Sequence, residues 1–277
     1  MLWHRICPPI ARRPGLVLAA LAGWLLVVAT ACGAGAPAPE PTTDNVPSPP
    51  ANSAVEPDPV AAAEGVPGGG AEDRPVRVVF LGDSLTAGLS LEESQAFPAL
   101  VGDALRRDGL DVEVVNAGVS GDTSAGGLRR LDWLLRQKPD LMVVELGAND
   151  GLRGLPVSET EANLRSILER IHAAGSEVLL LGMQIPSNYG PEYTERFAAV
   201  FPQLAKELHV ELMPFLLDGV ALDPDLNLSD GIHPNPAGHR KIADHLLPFV
   251  EPMVRSLAEQ KAAVSETAIE SKSASGT

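Results

Sequence analysis

Apolar positions along this chain fall into two patterns that alternate. Short, nearly unbroken β-branched runs are followed by longer stretches with an apolar residue every three or four positions. Val76–Leu81 and Leu141–Leu146 are the clearest runs of the first kind, interrupted only by Arg77 and Glu145, as strands buried on both faces should be. Asp111–Val115, Val178–Leu181 and Val210–Met213 read as three more strands. Between them the spacing predicts helices. One covers Pro98–Asp108, with Gly109 placed to cap its end, and the next carries Leu128, Leu131, Leu134 and Leu135 and stops at Pro139. Ser158-Glu159-Thr160-Glu161 has the spacing of a capping box, which should open a helix with Leu164, Ile167, Leu168 and Ile171 on one face and Gly175 after its end. Tyr193–Leu208 is a further helix, and Pro236, just after Asn235, starts the last one as a proline at the first helical position should. Strands and helices alternating at these lengths predict an α/β fold with a parallel sheet and right-handed crossovers.

Both ends break the pattern. His4, Arg5, Arg12 and Arg13 precede an apolar run, Leu16–Ala31, that is short for a membrane span. A basic stretch followed by a short apolar one reads as a secretory signal peptide over residues 1–31. Its small residues Ala29-Thr30-Ala31 lead directly into Cys32, which resembles a bacterial lipoprotein signal in which Cys32 is lipidated and becomes the mature N-terminus. The expected location is therefore the cell envelope, held to a membrane through a lipid anchor on Cys32. The alternative is ordinary cleavage near Ala31 or Ala36 and a periplasmic or secreted protein. Residues 32–75, rich in Ala, Pro, Glu and Gly, cannot bury enough apolar area to offset their ordering entropy and are expected to form a disordered tether. That leaves 76–257 as the folded domain and 258–277, rich in Ala, Ser, Glu and Lys, as a low-complexity tail fraying from the last helix.

Composition narrows the chemistry. A formal net charge of −15 repels phosphate backbones, so nucleic acid is not an expected partner. The two cysteines, Cys7 and Cys32, both precede the domain, which excludes a disulfide framework or a thiolate metal site within it. His172, His209, His239 and His245 lack the close pairing of metal ligands and read as surface or core residues.

What remains distinctive sits just after the strands. Ser84, in Gly82-Asp83-Ser84-Leu85, follows the first strand; Gly121, in a Gly/Ser/Asp/Thr loop, follows the second; Asn149, in Gly147-Ala148-Asn149-Asp150, follows the third. Asp230-Gly231-Ile232-His233-Pro234 follows the fifth after a loop. In a parallel sheet the carboxyl ends of the strands lie together, where ligands bind. Serine needs a positioned base to become a nucleophile. Asp230 and His233 are three apart in a turn, so the carboxylate can hold one imidazole nitrogen and leave the other to take the Ser84 proton. The backbone N–H groups of Ser84 and Gly121 and the Asn149 amide can supply donors for a developing oxyanion. Each piece alone has an ordinary reading as a capping turn, a loop residue or a turn pair; together, in this order, they point to a hydrolase.

These blocks resemble those of the SGNH (GDSL) hydrolases. Ser120-Gly121-Asp122-Thr123-Ser124, Val144-Glu145-Leu146-Gly147, Asn149-Asp150-Gly151-Leu152-Arg153-Gly154, Pro186-x-Asn188-Tyr189-Gly190 and Asp230-Gly231-Ile232-His233-Pro234-Asn235 look most like the bacterial thioesterase I/lysophospholipase L1/arylesterase branch. Ala148 stands where close relatives often have glycine. The resemblance covers nearly all of 76–255. It implies a flavodoxin-like three-layer α/β/α fold with a five-stranded parallel sheet, no metal or other cofactor, and hydrolysis of small or lipid-like acyl esters or thioesters through an acyl-enzyme. By that resemblance Ser84 is the nucleophile, His233 the base, Asp230 its orienting acid, and Gly121 and Asn149 the oxyanion donors. It also counts against an α/β-hydrolase elbow, whose G-x-S-x-G would need glycine where Thr86 stands. Two other readings remain: a carbohydrate O-deacetylase of the same superfamily, which the lack of aromatic-rich insertions disfavours, and a catalytically silent envelope-binding lipoprotein.

Overall fold

Val76–Gly82 (β1), Val112–Gly118 (β2), Leu141–Glu145 (β3), Glu177–Leu181 (β4) and Glu211–Met213 (β5) form one sheet in the order β2-β1-β3-β4-β5, every pair parallel. The protein is described by a computed structural model covering residues 74–275, with side chains through residue 267. The signal peptide, Cys32 and nearly all of the tether expected from the sequence lie outside the described residues.

The strands form because their apolar runs have two faces to bury. Val78–Leu81 of β1 and Leu141–Val144 of β3, the central strands, are fully buried. Full burial of one such side chain contributes about 1.5–3 kcal/mol. Among the described residues, seven α-helices accompany the sheet: Ser84–Ala87 (α1), Phe97–Arg107 (α2), Ser124–Leu135 (α3), Ala148–Leu152 (α4), Val157–Ala173 (α5), Pro191–Leu208 (α6) and Pro236–Ser275 (α7). Right-handed crossovers divide the long ones between the faces: α2 packs with α7, and α3 with α5 and α5 with α6. The result is the three-layer, flavodoxin-like arrangement expected from the resemblance.

This strand order places the reversal of connection between β1 and β3, the point where ligands bind in such sheets. Register makes the strand ends level there, because Gly82 at the end of β1 pairs with Gly118 of β2 and with Glu145 of β3. Whatever follows those three residues emerges side by side.

Two local expectations are corrected. Ser158 does not cap α5: the helix begins at Val157 with Pro156 in the capping position and no side-chain cap, so Ser158 already lies within the first turn. An N-cap residue needs a non-helical backbone, and helix starts one residue earlier. The tail does not fray after Ala258 either, since α7 continues to Ser275. Ala, Glu and Lys favour helix without a core to pack on, and Lys261 ties this stretch to the domain by donating to the Pro75 carbonyl at 3.3 Å and to Asp140 at 3.4 Å. No helix among the described residues is long and apolar enough to cross a membrane.

Candidate active site

The turn after β1 builds the Ser84 position. Asp83 caps α1, its Oδ1 accepting the Leu85 N–H at 2.9 Å. Ser84 is thereby the first residue of a helix, where its own N–H has no intrahelical acceptor. Its side chain stands at the sheet's carboxyl edge, 8% exposed.

His233 reaches Ser84 from a loop 149 residues away, and that loop is held by its own polar groups. Leu228 donates to the His233 carbonyl at 2.7 Å, and Asn227 bridges Pro234 as an isolated antiparallel pair. Asn235 caps α7, accepting the Ala237 and Gly238 N–H groups at 2.9 and 3.1 Å, and donates back to the Asp225 and Asn227 carbonyls. Within the loop, Asp230 Oδ1 accepts the Ile232 and His233 N–H groups at 2.9 and 3.0 Å. Its Oδ2 lies 2.7 Å from His233 Nδ1, and His233 Nε2 lies 2.9 Å from Ser84 Oγ. Those backbone donors, then the imidazole, hold the Asp230 carboxyl down at about 2. A carboxylate facing Nδ1 assigns the ring proton there and leaves Nε2 as the acceptor for the serine hydroxyl.

The oxyanion candidates come from β2 and β3. Gly121 lies in the loop after β2 with φ of +79°, a conformation that side chains with a Cβ rarely adopt. Its N–H donates to no group among the described residues, while its carbonyl accepts from Arg153 at 2.8 Å. Asn149 is the second residue of α4 and gives one amide hydrogen to Asp83 Oδ2 at 2.9 Å, which leaves the other free. Ser84, Asn149 and His233 line one cavity of about 520 Å³, with Asp230 behind the histidine. Gly121 is tied to the same edge through Val119, which donates to the Gly82 carbonyl at 3.0 Å. The rest of the cavity wall is mainly apolar: Leu85, Leu152, Met183, Ile185, Phe215 and Leu217.

The motifs assign no role to three participants, although Asp83 and Glu145 stand within them. Arg130 of α3 donates to Asp122, to the Ala117 carbonyl and to the Gly82 carbonyl, lacing the ends of β1 and β2 to the Gly121 loop. Asp83 and Glu145 form a buried carboxyl pair behind the serine, each 1% exposed. Burial pushes the Asp83 carboxyl up, and burial reinforced by the Asp83 charge pushes Glu145 well above the ordinary carboxylate range. One signal for Glu145 is present in the chain, a carboxyl at the end of an otherwise apolar strand run. His239 is a core residue, its Nδ1 accepting the Phe97 N–H at 3.1 Å and its ring stacked on Phe97. Desolvation by burial lowers it to about 4, so it stays neutral. No group of three His, Cys, Asp or Glu among the described residues is arranged to hold a metal ion.

Residues 80–241 match the sequence model of the GDSL-like lipase/acylhydrolase family. The chain is 44% identical over 178 residues to the esterase TesA of Pseudomonas aeruginosa, a span covering 64% of this chain and 89% of that protein. It is 46% identical over 178 residues to thioesterase 1/protease 1/lysophospholipase L1 of Escherichia coli K12, covering 64% of this chain and 84% of the relative. The crystal structure of the psychrotrophic esterase EstA from a Pseudoalteromonas species, inhibited by monoethylphosphonate, aligns with a TM-score of 0.62 at 35% identity, over 65% of this chain and 99% of that one.

Proposed function

This chain belongs to the GDSL-like lipase/acylhydrolase family and is a serine ester hydrolase, and from that premise we propose that Ser84, His233 and Asp230 carry its reaction on acyl esters and thioesters with an apolar acyl chain. The observation that carries this reading is the unbroken line Ser84 Oγ–His233 Nε2, 2.9 Å, and His233 Nδ1–Asp230 Oδ2, 2.7 Å, opening on an apolar cavity. As Oγ attacks the acyl carbonyl carbon, Nε2 takes its proton, and the carbonyl π electrons move onto oxygen. Asp230, ionised at every working pH, stabilises the imidazolium and keeps it aimed. Ser84 N–H, Gly121 N–H and the free Asn149 amide hydrogen stabilise the oxyanion, each donor being worth about 2.7–4 kcal/mol in the transition state. Collapse expels the alkoxide or thiolate, which leaves with the proton from His233. Water then repeats the sequence on the acyl-serine and returns the free acid.

Apolar lining favours an acyl chain over a sugar, which would ask for hydrogen-bond partners and aromatic faces. Turnover of p-nitrophenyl esters from acetate to palmitate, by the wild type and by Ser84→Ala, tests the assignment. Activity that requires Ser84 and extends beyond acetate is the expected result; Ser84-independent turnover would remove Ser84 from the role. Cys32 is proposed as the lipid attachment site that holds the enzyme at a membrane of the cell envelope, supported by the small residues that precede it and the Pro/Ala-rich stretch that follows. Cys32→Ser should release the protein from the membrane fraction, and unchanged partitioning would refute the anchor.

A further inference from the structure

Behind the serine lie two buried carboxyl groups that the reaction scheme leaves without a task. Glu145 Oε2 accepts the Asp83 N–H at 3.1 Å and the Thr86 hydroxyl at 2.8 Å. Asp83 Oδ1 accepts the Leu85 N–H, and its Oδ2 accepts the Asn149 amide, both at 2.9 Å. The bond from the Asp83 N–H to Glu145 Oε2 sets the two residues side by side, and Glu145 feels the Asp83 charge. Glu145 Oε1 is buried and has no hydrogen-bond partner among the described residues. No lysine or arginine side chain among the described residues bears on either carboxyl.

Two carboxylates this close cannot both stay charged away from water, because burial penalises each and repulsion adds to it. A single proton removes the repulsion. Asp83 is the member suited to remain ionised, since the Leu85 N–H and the Asn149 amide both donate to it. Glu145 is the member with an oxygen to spare, and a proton on it converts an orphaned acceptor into a donor to Asp83. We propose that Glu145 is a positioning residue that holds the pair's one proton, so that Asp83 stays a carboxylate and aims the Asn149 amide at the oxyanion. Glu145 thus acts on the reaction through two intermediaries and touches no reacting atom. The leading glycine of Gly82-Asp83-Ser84 fits the same arrangement: a Cβ at Gly82 would collide with the Thr86 hydroxyl and stand 2.7 Å from Glu145 Oε2. The carboxyl occupies the space that a side chain at residue 82 would take.

The inference rests on the catalytic reading above, and Ser84→Ala separates the two: loss of turnover there upholds that reading whatever the Glu145 variants do. Glu145→Gln in the full chain keeps the shape, a donor for Asp83 and an acceptor for the Asp83 N–H and Thr86. Its kcat on a p-nitrophenyl ester should stay within about threefold of wild type. Glu145→Leu removes donor and acceptor together and should lower kcat roughly 10- to 100-fold with KM little changed, a smaller loss than the about 10²–10³ for removing an oxyanion donor outright. Infrared difference spectra of wild type against Glu145→Gln at neutral pH should contain the carbonyl stretch of one buried protonated carboxyl, a band that a purely structural role would not require. The Gln variant and its spectrum decide the matter even where Glu145→Leu fails to unfold cooperatively. Absence of that band, or a Gln variant as slow as a folded Leu variant, would overturn the proposal.

Discussion

Replacing Arg130 with methionine should damage stability and turnover together. The guanidinium donates to Asp122 at 2.7 Å, to the Ala117 carbonyl at 2.6 Å and to the Gly82 carbonyl at 2.8 Å. The ion pair is intermediate in burial, its side chains 23% and 11% exposed. Exposed pairs contribute at most about 1 kcal/mol, while breaking a fully buried one costs about 3–5 kcal/mol, so about 2 kcal/mol is apt here after allowing for solvent screening. Two carbonyls lose a charged donor but regain partial contact with water, which brings the whole to about 3 kcal/mol. For a domain of this size that lowers Tm by about 6–12 °C. The same loss loosens the loop that carries Gly121, the proposed oxyanion donor, and kcat should fall about 10-fold with KM nearly constant, since such a donor acts mainly in the transition state. Guanidinium unfolding followed by circular dichroism and p-nitrophenyl ester turnover read the two effects. Arg130→Lys should recover less than half of either, because a point ammonium cannot serve three acceptors arranged for a planar fork. A stability loss under about 0.5 kcal/mol with unchanged kcat would refute the reasoning.

The other predictions probe separate parts of the molecule. Asn149→Ala should reduce kcat by about 10²–10³ while KM moves little, and an effect confined to KM would take Asn149 out of the oxyanion site. Ile185→Trp, in the apolar cavity wall, should exclude about four methylenes at about 0.8 kcal/mol each, cutting kcat/KM for long esters about 100-fold and sparing acetate; uniform loss across the series would count against an acyl site there. His239 is held at about 4 in the fold against 6.5 when unfolded, so between those values the unfolded chain binds the extra proton and stability falls as pH falls. That contribution, about 3 kcal/mol, is fully present above pH 6.5 and gone by about pH 4; chemical unfolding across this range should show it, and His239→Gln should flatten it. Asp230, lowered to about 2 from 3.8, follows the carboxylate sign: its contribution is present above about pH 4 and lost as pH drops through 2.

Much of this enzyme is legible in the order of its residues. The short, nearly unbroken apolar runs of β1 and β3 read as strands covered on both sides, and their alternation with striped helices leaves few topologies once right-handed crossovers are required. Ser84, Gly121, Asn149 and the Asp230–His233 pair stand out in the sequence as candidates because each is a small cluster of local chemistry placed after a strand. Short elements were not readable: α1 and α4 span four and five residues, too few for a period, and the start of α5 turned on one proline against one serine. The helical tail depends on propensity and the Lys261 tether, where composition alone reads a fraying low-complexity tail.

Local pattern therefore determined the elements, the sheet and the list of candidate groups, because backbone geometry and apolar periodicity act over a few residues at a time. Only the tertiary structure decided how those groups are held. Arg130 meets three acceptors from three segments, and Glu145 meets Asp83 across 62 positions of chain. Neither partnership has a spacing that a sequence can encode locally. Both follow from strand register, which levels Gly82, Gly118 and Glu145 and turns separate strand ends into one buried polar network.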